Sequence, residues 1–380
     1  MSAWDAIRAG MLATGSAARR AASSLGRLAR RLPGPWRPRR EARSQERRAK
    51  SRSTWRIFWR SGWNRAGLFT VALLVLIAVF ADFLASDRPI WLKYEGRHYP
   101  FPNLIDYAEL RSLTNDVLRQ VMVDGEDWAI LPLVPYGPLQ SKADGEIRPL
   151  DPPSGSHWLG TDDRGRDVTA RLIHGTRVSI SVGLVAVGLY VLIGVFLGAI
   201  AGFYGGWLDA GITRATEALM AFPAFFFILI IQGLLPSASI LQIMVVIGLT
   251  RWTDVARLVR GEVLRLRSAE FVLAAQALGL PPRRILFRHV MPNAMGPVLV
   301  AATFGVAGAI LLESALSFLG FGTPPPTASW GELLTQAFAH DGKWWLTLFP
   351  GLAIFVTVTA YNLVGEGIRD AVDPRMSVFR

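Results

Sequence analysis

Cysteine is absent from all 380 residues, which excludes a disulfide framework and any thiolate metal site and leaves the redox compartment unread. Charge is scarce: Asp, Glu, Lys and Arg make up 18%, against roughly 25% in soluble domains. Lysine is rarer still, confined to Lys50, Lys93, Lys142 and Lys343. Only Lys343 follows a glycine, and Trp344 stands where a phosphate loop needs Ser or Thr, so there is no P-loop. No G-x-S-x-G serine and no pair of helical carboxylates points to a hydrolase, and the chain reads as non-catalytic, with no cofactor of its own.

What is present is apolar: 51% hydrophobic residues, 13 Trp and 20 Phe, with a mean hydropathy of +0.31. Lipid is the solvent this composition suits. The net charge of +12 is local. Residues 1–60 hold 16 Lys/Arg and 3 Asp/Glu, leaving 25 basic and 26 acidic residues for the remainder. A basic tail therefore precedes a near-neutral body, and nucleic acid is not expected as a partner. The tail has no early apolar core of a secretory signal and reads as a cytoplasmic segment resting on anionic lipid.

The first apolar run, residues 66–86, is long enough to cross a hydrocarbon core of about 30 Å. Arg52, Arg56, Arg60 and Arg65 precede it and Asp82 and Asp87 follow, so the basic side is placed in the cytoplasm. Residues 87–160, acidic on balance, suit a small, partly irregular ectodomain anchored by Trp91, Tyr94, Tyr99, Phe101, Trp128 and Tyr136. Five more runs follow at 178–203, 212–235, 237–250, 295–319 and 346–364. The fourth, 237–250, is short, but it must cross for the Arg-rich stretch after it and the basic C-terminus to share one side. The expectation is an all-α polytopic membrane protein of six transmembrane helices with both termini in the cytoplasm, organised as tail 1–60, first helix 66–86, ectodomain 87–160 and core 161–372. Gly194, Gly198 and Gly202 recur every four residues, which bares one helix face for close packing.

The loop 251–292 draws attention because residues 251–290 contain eight Arg and three acids. Phe271, Ala274, Ala275 and Leu278 share one face of a short helix over 268–278, with Glu270 in its first turn. Gly279 stands where a left-handed cap is wanted, and Pro281 and Pro282 stop the helix. A second helix, 283–290, leads through Pro292 and Asn293 into the fifth run. Taken by themselves these residues leave two readings: a stiff helix that enters a partner's groove, or an amphipathic helix lying on headgroups.

Leu273-Ala274-Ala275, then three residues and Gly279, then nine residues and His289-Val290-Met291-Pro292, resembles the coupling motif of ABC importer permeases in its dipeptide and oligopeptide form, C-type subunit. Further similarity lies in His157 to Asp167 (HWLGTDDRGRD), Ala221-Phe222-Pro223, Ser317 to Gly322 (SFLGFG) with Pro324 to Pro326, and Gly367 to Pro374 (GIRDAVDP). Ser86 to Ile90 with Tyr94-Glu95-Gly96 is similar to the microcin-C-type branch. The resemblance implies a type I ABC importer permease fold in a bacterial inner membrane and import of peptides or peptide-like compounds. It also implies a second homologous permease, cytoplasmic ATPase subunits that use ATP and Mg, and an extracytoplasmic peptide-binding protein. Carried onto this chain, the coupling residues are Phe271, Ala274, Ala275, Gly279, His289 and Pro292. The sequence departs at Leu273, where the motif has a glutamate; Glu270, one turn earlier, is the substitute carboxylate.

Other clusters read more plainly. His157, Asp162, Asp163, Asp167 and His174 have no metal-site spacing, and Thr161 or Asp162 is expected to cap a surface helix carrying Val168, Leu172 and Ile173. Glu313 is the one acid deep in an apolar run; with Ser317 and Pro223 it is the candidate for the translocation pathway. Glu217 pairs with Arg214, and 324–330 reads as a re-entrant or outer loop. Two rivals remain open: a membrane receptor or scaffold, and a proton-coupled carrier using Glu313.

Overall fold

In a computed structural model of the chain, residues 58–123, 126–141, 149–234, 239–340 and 342–372 are described; the basic tail and the last eight residues lie outside them. Helix α1 (Gly62–Val79) starts where the Ser61 side chain accepts the Asn64 amide and, past Asn64 and Arg65, runs through an apolar sequence whose one polar residue is Thr70. After the short α2 (Ala81–Leu84) the chain leaves helical structure.

A three-stranded antiparallel sheet follows, built of β1 (Trp91–Tyr94), β2 (Arg97–Pro100) and β3 (Trp128–Ile130) in the order β2-β1-β3. Glu95 and Gly96, both at positive φ, make the two-residue turn between β1 and β2. Helix α3 (Asn115–Val121) closes a small core of Leu92, Tyr99, Leu110 and Leu118. Of the six expected anchors, Tyr99 and Tyr136 are buried and Trp91 and Tyr94 half-buried, while Phe101 and Trp128 are exposed. The strand period of two explains the exchange, because Leu92 points to the core face while its neighbours Trp91 and Lys93 point away.

Helix α4 (Val168–Tyr204) has 37 residues, about 55 Å at 1.5 Å per residue. It begins ten residues before the apolar run. Its cap is Asp167, whose carboxylate accepts the Ala170 amide at 2.8 Å; Thr161 and Asp162 do not cap it. The start is no surface helix either, since Val168, Ala170 and Arg171 are fully buried. The run 212–235 is broken: α5 (Gly206–Met220) and α6 (Ala224–Leu234) meet at 80°. Pro223 sits at the break, where its ring and missing N–H end a helix.

Helix α7 (Ile240–Arg267) lies along α4 in parallel. Built-on Cβ atoms locate the match: Gly194 faces Trp252 and Val255, Gly198 faces Ala256, and Gly202 faces Arg260 and Val263. Each four-residue step on α4 is thus a four-residue step on α7, with one backbone seated on the other. In lipid, where apolar side chains gain nothing by leaving water, such close van der Waals packing is the available glue. Two parallel neighbours also require α5 and α6 to carry the chain back along their length.

Helix α8 (Glu270–Ala277), α9 (Pro282–Ile285) and a π-helical turn (Leu286–Val290) link α7 to α10 (Met291–Phe318). Then come α11 (Trp330–Ala339) and α12 (Trp344–Val372). The stretch after Pro324 thus ends in a regular helix capped by Ser329. Helix α12 packs antiparallel to both α10 and α1, with Gly365 against Phe304, and Gly67 against Ala360 and Leu363. Among the described residues four helices are long and apolar enough to cross a membrane, α1, α4, α10 with its lead-in, and α12; the bent α5–α6 pair makes five. Helix α7 falls outside that set because its second half carries Arg251, Asp254, Arg257, Arg260, Glu262, Arg265 and Arg267.

Candidate functional site

The segment between α7 and α10 forms a protruding tip beside the C-terminal ends of α4 and α7. Ser268 closes α7, its hydroxyl donating to the Arg265 carbonyl at 3.1 Å. Ala269 takes extended backbone and α8 begins at Glu270, so the helix spans 270–277 within the expected 268–278. Its end is a complete Schellman motif: Gly279 N–H donates to the Gln276 carbonyl at 2.8 Å and Leu280 N–H to the Ala275 carbonyl at 3.2 Å. Gly279 has φ +71°, open to glycine and strained for other residues. Pro281 and Pro282 then start α9 in a new direction, with Pro at the first helical position.

The face of α8 differs from the expected one. Val272 and Ala275 turn inward and join Ile285, Leu286, Val290 and the α7 residues Val263 and Leu266 in one buried cluster. Phe271, Leu273, Ala274, Leu278 and Phe287 are exposed, Leu278 to 80%. Ala275 is therefore the rivet of the tip, and Ala274 belongs to its outer surface. The shift has a local cause: a helix of eight residues with apolar or small side chains at nearly every position has no polar face to set its rotation, and the core partners decide it. Arg283, Arg284 and Arg288 surround the apolar tip, exposed. The expected 283–290 helix is split into α9 and the π-helical turn. His289 is half-buried, with its carbonyl accepting from the Asn293 side chain at 2.6 Å, and Pro292 is exposed at the start of α10. Through these bonds and buried contacts the tip is continuous with α7 and α10.

At the opposite end of α4, sequence reasoning missed a buried ionic network. Asp162 takes Arg166 Nε at 2.6 Å and lies 3.3 Å from Arg171 Nε; Arg171 reaches Glu332 of α11 at 2.6 Å. Asp162 and Arg171 are wholly buried. Buried charge is costly unless paired, and here each carboxylate faces two guanidiniums. Burial, helped by the charge of Asp162, raises the carboxyl pKa of Asp163 above its usual value. Beside them His157 Nδ1 meets Asp167 at 2.7 Å, and His174 Nε2 meets the Ala85 carbonyl at 2.8 Å. The crowding of acids and arginines over 162–171 was the visible signal; Glu332, 161 residues from Arg171, was not readable as its partner.

Glu313 is fully buried on α10, with Ser317 donating to it at 2.8 Å and Ser314 at 3.5 Å. Gly331 of α11 presses on Ser314 and Ser317. Glu313 and Ser317 are thus brought together, whereas Pro223 stands apart at the α5–α6 break, exposed. A separate cleft of about 240 Å³ opens between α4, α7 and α10, lined by Tyr190, Arg251, Asp254, Phe304, Gly305 and Gly308 among others. The Tyr190 hydroxyl occupies the space a Cβ on Gly305 would need. Arg214 and Glu217 do pair, at 2.9 Å and in the open.

Residues 194–378 match the family described as binding-protein-dependent transport system inner membrane component. The oligopeptide transport system permease protein OppC of Bacillus subtilis is 42% identical over 226 residues, covering 59% of this chain and 74% of that protein. The dipeptide transport system permease protein DppC of Alkalihalophilus pseudofirmus is 41% identical over 229 residues, 60% of this chain and 75% of the relative. A Brucella suis protein provisionally named a peptide permease is 43% identical over 315 residues, 82% of this chain and 88% of the relative. With 315 of 380 positions matched, the similarity to the Brucella protein takes in the β1–β3 region.

Proposed function

Because the chain belongs to the family of binding-protein-dependent transport system inner membrane components, and is a non-catalytic membrane subunit of the C-type peptide permease kind, we propose that it imports peptides or peptide-like compounds by passing the motion of a separate ATPase through the α8 tip. The observation that carries this reading is the tip itself: an exposed apolar knob (Phe271, Leu273, Ala274, Leu278) riveted by Val272 and Ala275 to the helices it would move. A helix that merely floated on headgroups would need no such rivet. Peptide as the substrate class rests on the names of the relatives.

In this reading α1, α4, the α5–α6 pair, α7, α10 and α12 make six crossings. The parallel run of α4 and α7 supports the fourth, short crossing. The tip and both termini face the cytoplasm, where Arg265, Arg267, Arg283, Arg284 and Arg288 obey the positive-inside rule, and the β1–β3 region is periplasmic. ATP and Mg are held by the ATPase subunits, a second homologous permease completes the pathway, and an extracytoplasmic binding protein delivers the peptide. Closure of the ATPases on ATP displaces α8, and α7 and α10 carry the displacement into the membrane. Phe271, Ala274 and Gly279 make or shape the docking surface, Ala275 secures it, Glu270 supplies the carboxylate that Leu273 lacks, and His289 and Pro292 join it to α10. The pathway runs beside the Tyr190–Arg251–Asp254 cleft; Glu313 and Ser317 fix the outer end of α10, and Pro223 sets the α5–α6 bend. The microcin-C-type branch remains the proposed substrate group within the family.

Uptake of a labelled peptide into vesicles holding the full complex tests this function. Uptake is expected to require ATP and to be lost in Gly279→Pro, a change that φ +71° does not accept, while that variant still inserts. Uptake that proceeds without ATP and follows a pH gradient refutes the proposal in favour of a proton-coupled carrier.

A further inference from the structure

The turn that follows β2 has a surface that the transport reading leaves unused. Phe101, Leu104 and Ile105 are exposed to 41%, 55% and 47%, three apolar residues within five in one turn, whereas Val123, Trp128, Ile130 and Leu133 are exposed elsewhere on the domain. The turn is closed on itself: Leu104 N–H and Ile105 N–H both donate to the Phe101 carbonyl, at 3.0 and 2.9 Å, and Phe101 N–H donates to Ile90. Phe101 holds a left-handed backbone, φ 54°, which a bulky residue adopts under constraint. The exposure is thus a fixed feature of the fold.

Its height is fixed as well. Asn103 donates its side-chain amide to the Asp82 carbonyl at 2.9 Å, and the Phe101 ring packs edge-on to Phe83 and Trp91, at 6.1 Å each. Asp82 lies in α2, three residues past the end of α1, its carboxylate taking Arg177 at 2.8 Å. Below it Leu73, Leu76, Val79 and Phe80 form the exposed apolar surface of α1. Above it Asp106 pairs with Arg88 at 3.0 Å and Arg111 at 2.9 Å. An apolar tip therefore sits beside the end of a membrane helix with ion pairs next to it, and the Phe101, Leu104 and Ile105 amides are bonded within the domain, as a low-water setting favours.

We infer that the Phe101–Leu104–Ile105 turn is an interfacial anchor, seated in the lipid headgroup and upper acyl region of the leaflet on the ectodomain side and continuing the lipid-facing surface of α1. The inference rests on the reading of α1 as a membrane span. Its occupant is lipid because the Phe101 ring meets Phe83 at 6.1 Å and Phe83 meets Phe80 at 6.0 Å, which links the turn to the exposed apolar surface of a helix long enough to cross a bilayer, and its rim carries both charge signs in internal pairs, not an unpaired field for a charged protein. The anchor holds the β1–β3 domain against the bilayer at a set height.

The cysteine-free chain makes the test direct. Single-cysteine variants Leu104→Cys, Leu76→Cys and Glu109→Cys are spin-labelled in the full chain, assembled with its partner subunits in vesicles, with the unsubstituted chain as the blank. Collision with oxygen, relative to a water-soluble nickel reagent, is expected to be several-fold higher at 104 than at 109 and to approach that at 76. A ratio at 104 equal to that at 109 overturns the anchor while 76 still reports lipid. Low collision with both reagents at 104 also overturns it, showing protein in place of lipid. A water-like ratio at 76 overturns the α1 span and the anchor with it.

Discussion

Gly198 of α4 lies so close to the Ala256 carbonyl of α7 that any Cβ would overlap it. Gly198→Leu is therefore expected to separate the two helices and cost roughly 1–3 kcal/mol by overpacking. Gly188→Leu, on the same helix but with open space around it, is expected to be silent. Thermal unfolding of the purified chain in detergent compares the two, and equal melting temperatures would contradict the close packing.

Arg171 and Glu332 join α4 to α11 at 2.6 Å, with the arginine wholly buried. Glu332→Gln keeps the shape and removes the charge, and leaving a buried guanidinium short of a partner is expected to cost about 3 kcal/mol. Glu109→Gln, whose carboxylate is well exposed, is the control. Denaturant unfolding of both variants checks the difference.

Asp163 has its carboxyl pKa raised by burial and then by the charge of Asp162. A raised carboxylic pKa means the folded state binds the proton more readily than the unfolded one, so this group's effect on stability falls as pH rises through the folded value. Asp163→Asn is expected to be the more stable form near neutral pH, with its advantage gone below about 3.8, the ordinary value. An advantage that instead grows in acid would reverse the sign and refute the burial argument.

Glu313 hydrogen-bonds Ser317 and Ser314 within the packed contact between α10 and α11. Glu313→Gln keeps a side-chain oxygen to accept from Ser317 and an amide that can donate to Ser314, and is expected to leave ATP-driven uptake intact, whereas Glu313→Leu strands the serine hydroxyls at a cost of about 1–3 kcal/mol. Uptake assays on the two variants distinguish a packing role from a proton carrier's. Loss of uptake in the conservative variant would restore Glu313 as a pathway residue.

Most helices were legible because apolar runs, caps and breakers act locally. Residues 178–203 announced α4, and Gly279-Leu280-Pro281-Pro282 announced the end of α8. Three features were not legible, each for a physical reason. The Asp167 cap was hidden behind Thr161 and Asp162, which offer the same side-chain chemistry a few residues earlier. The rotation of α8 depended on Ile285 and Leu286, which choose Val272 and Ala275 as partners. The α5–α6 break lies within a run whose hydropathy alone predicts one continuous crossing. At Leu273 the departure from the motif acquires a location: the residue is 51% exposed on the tip, an apolar side chain where the motif has a carboxylate.

The most direct measurement is proximity between the tip and the ATPase. Since the chain has no cysteine, Ala274→Cys or Leu278→Cys gives it a single thiol for a photo-activated cross-linker, with buried Val272→Cys as the control. In the complex, irradiation is expected to join positions 274 and 278 to the ATPase subunit and to leave 272 unjoined. A complex that takes up peptide on ATP yet forms no adduct between 274 or 278 and its ATPase would contradict the docking of α8.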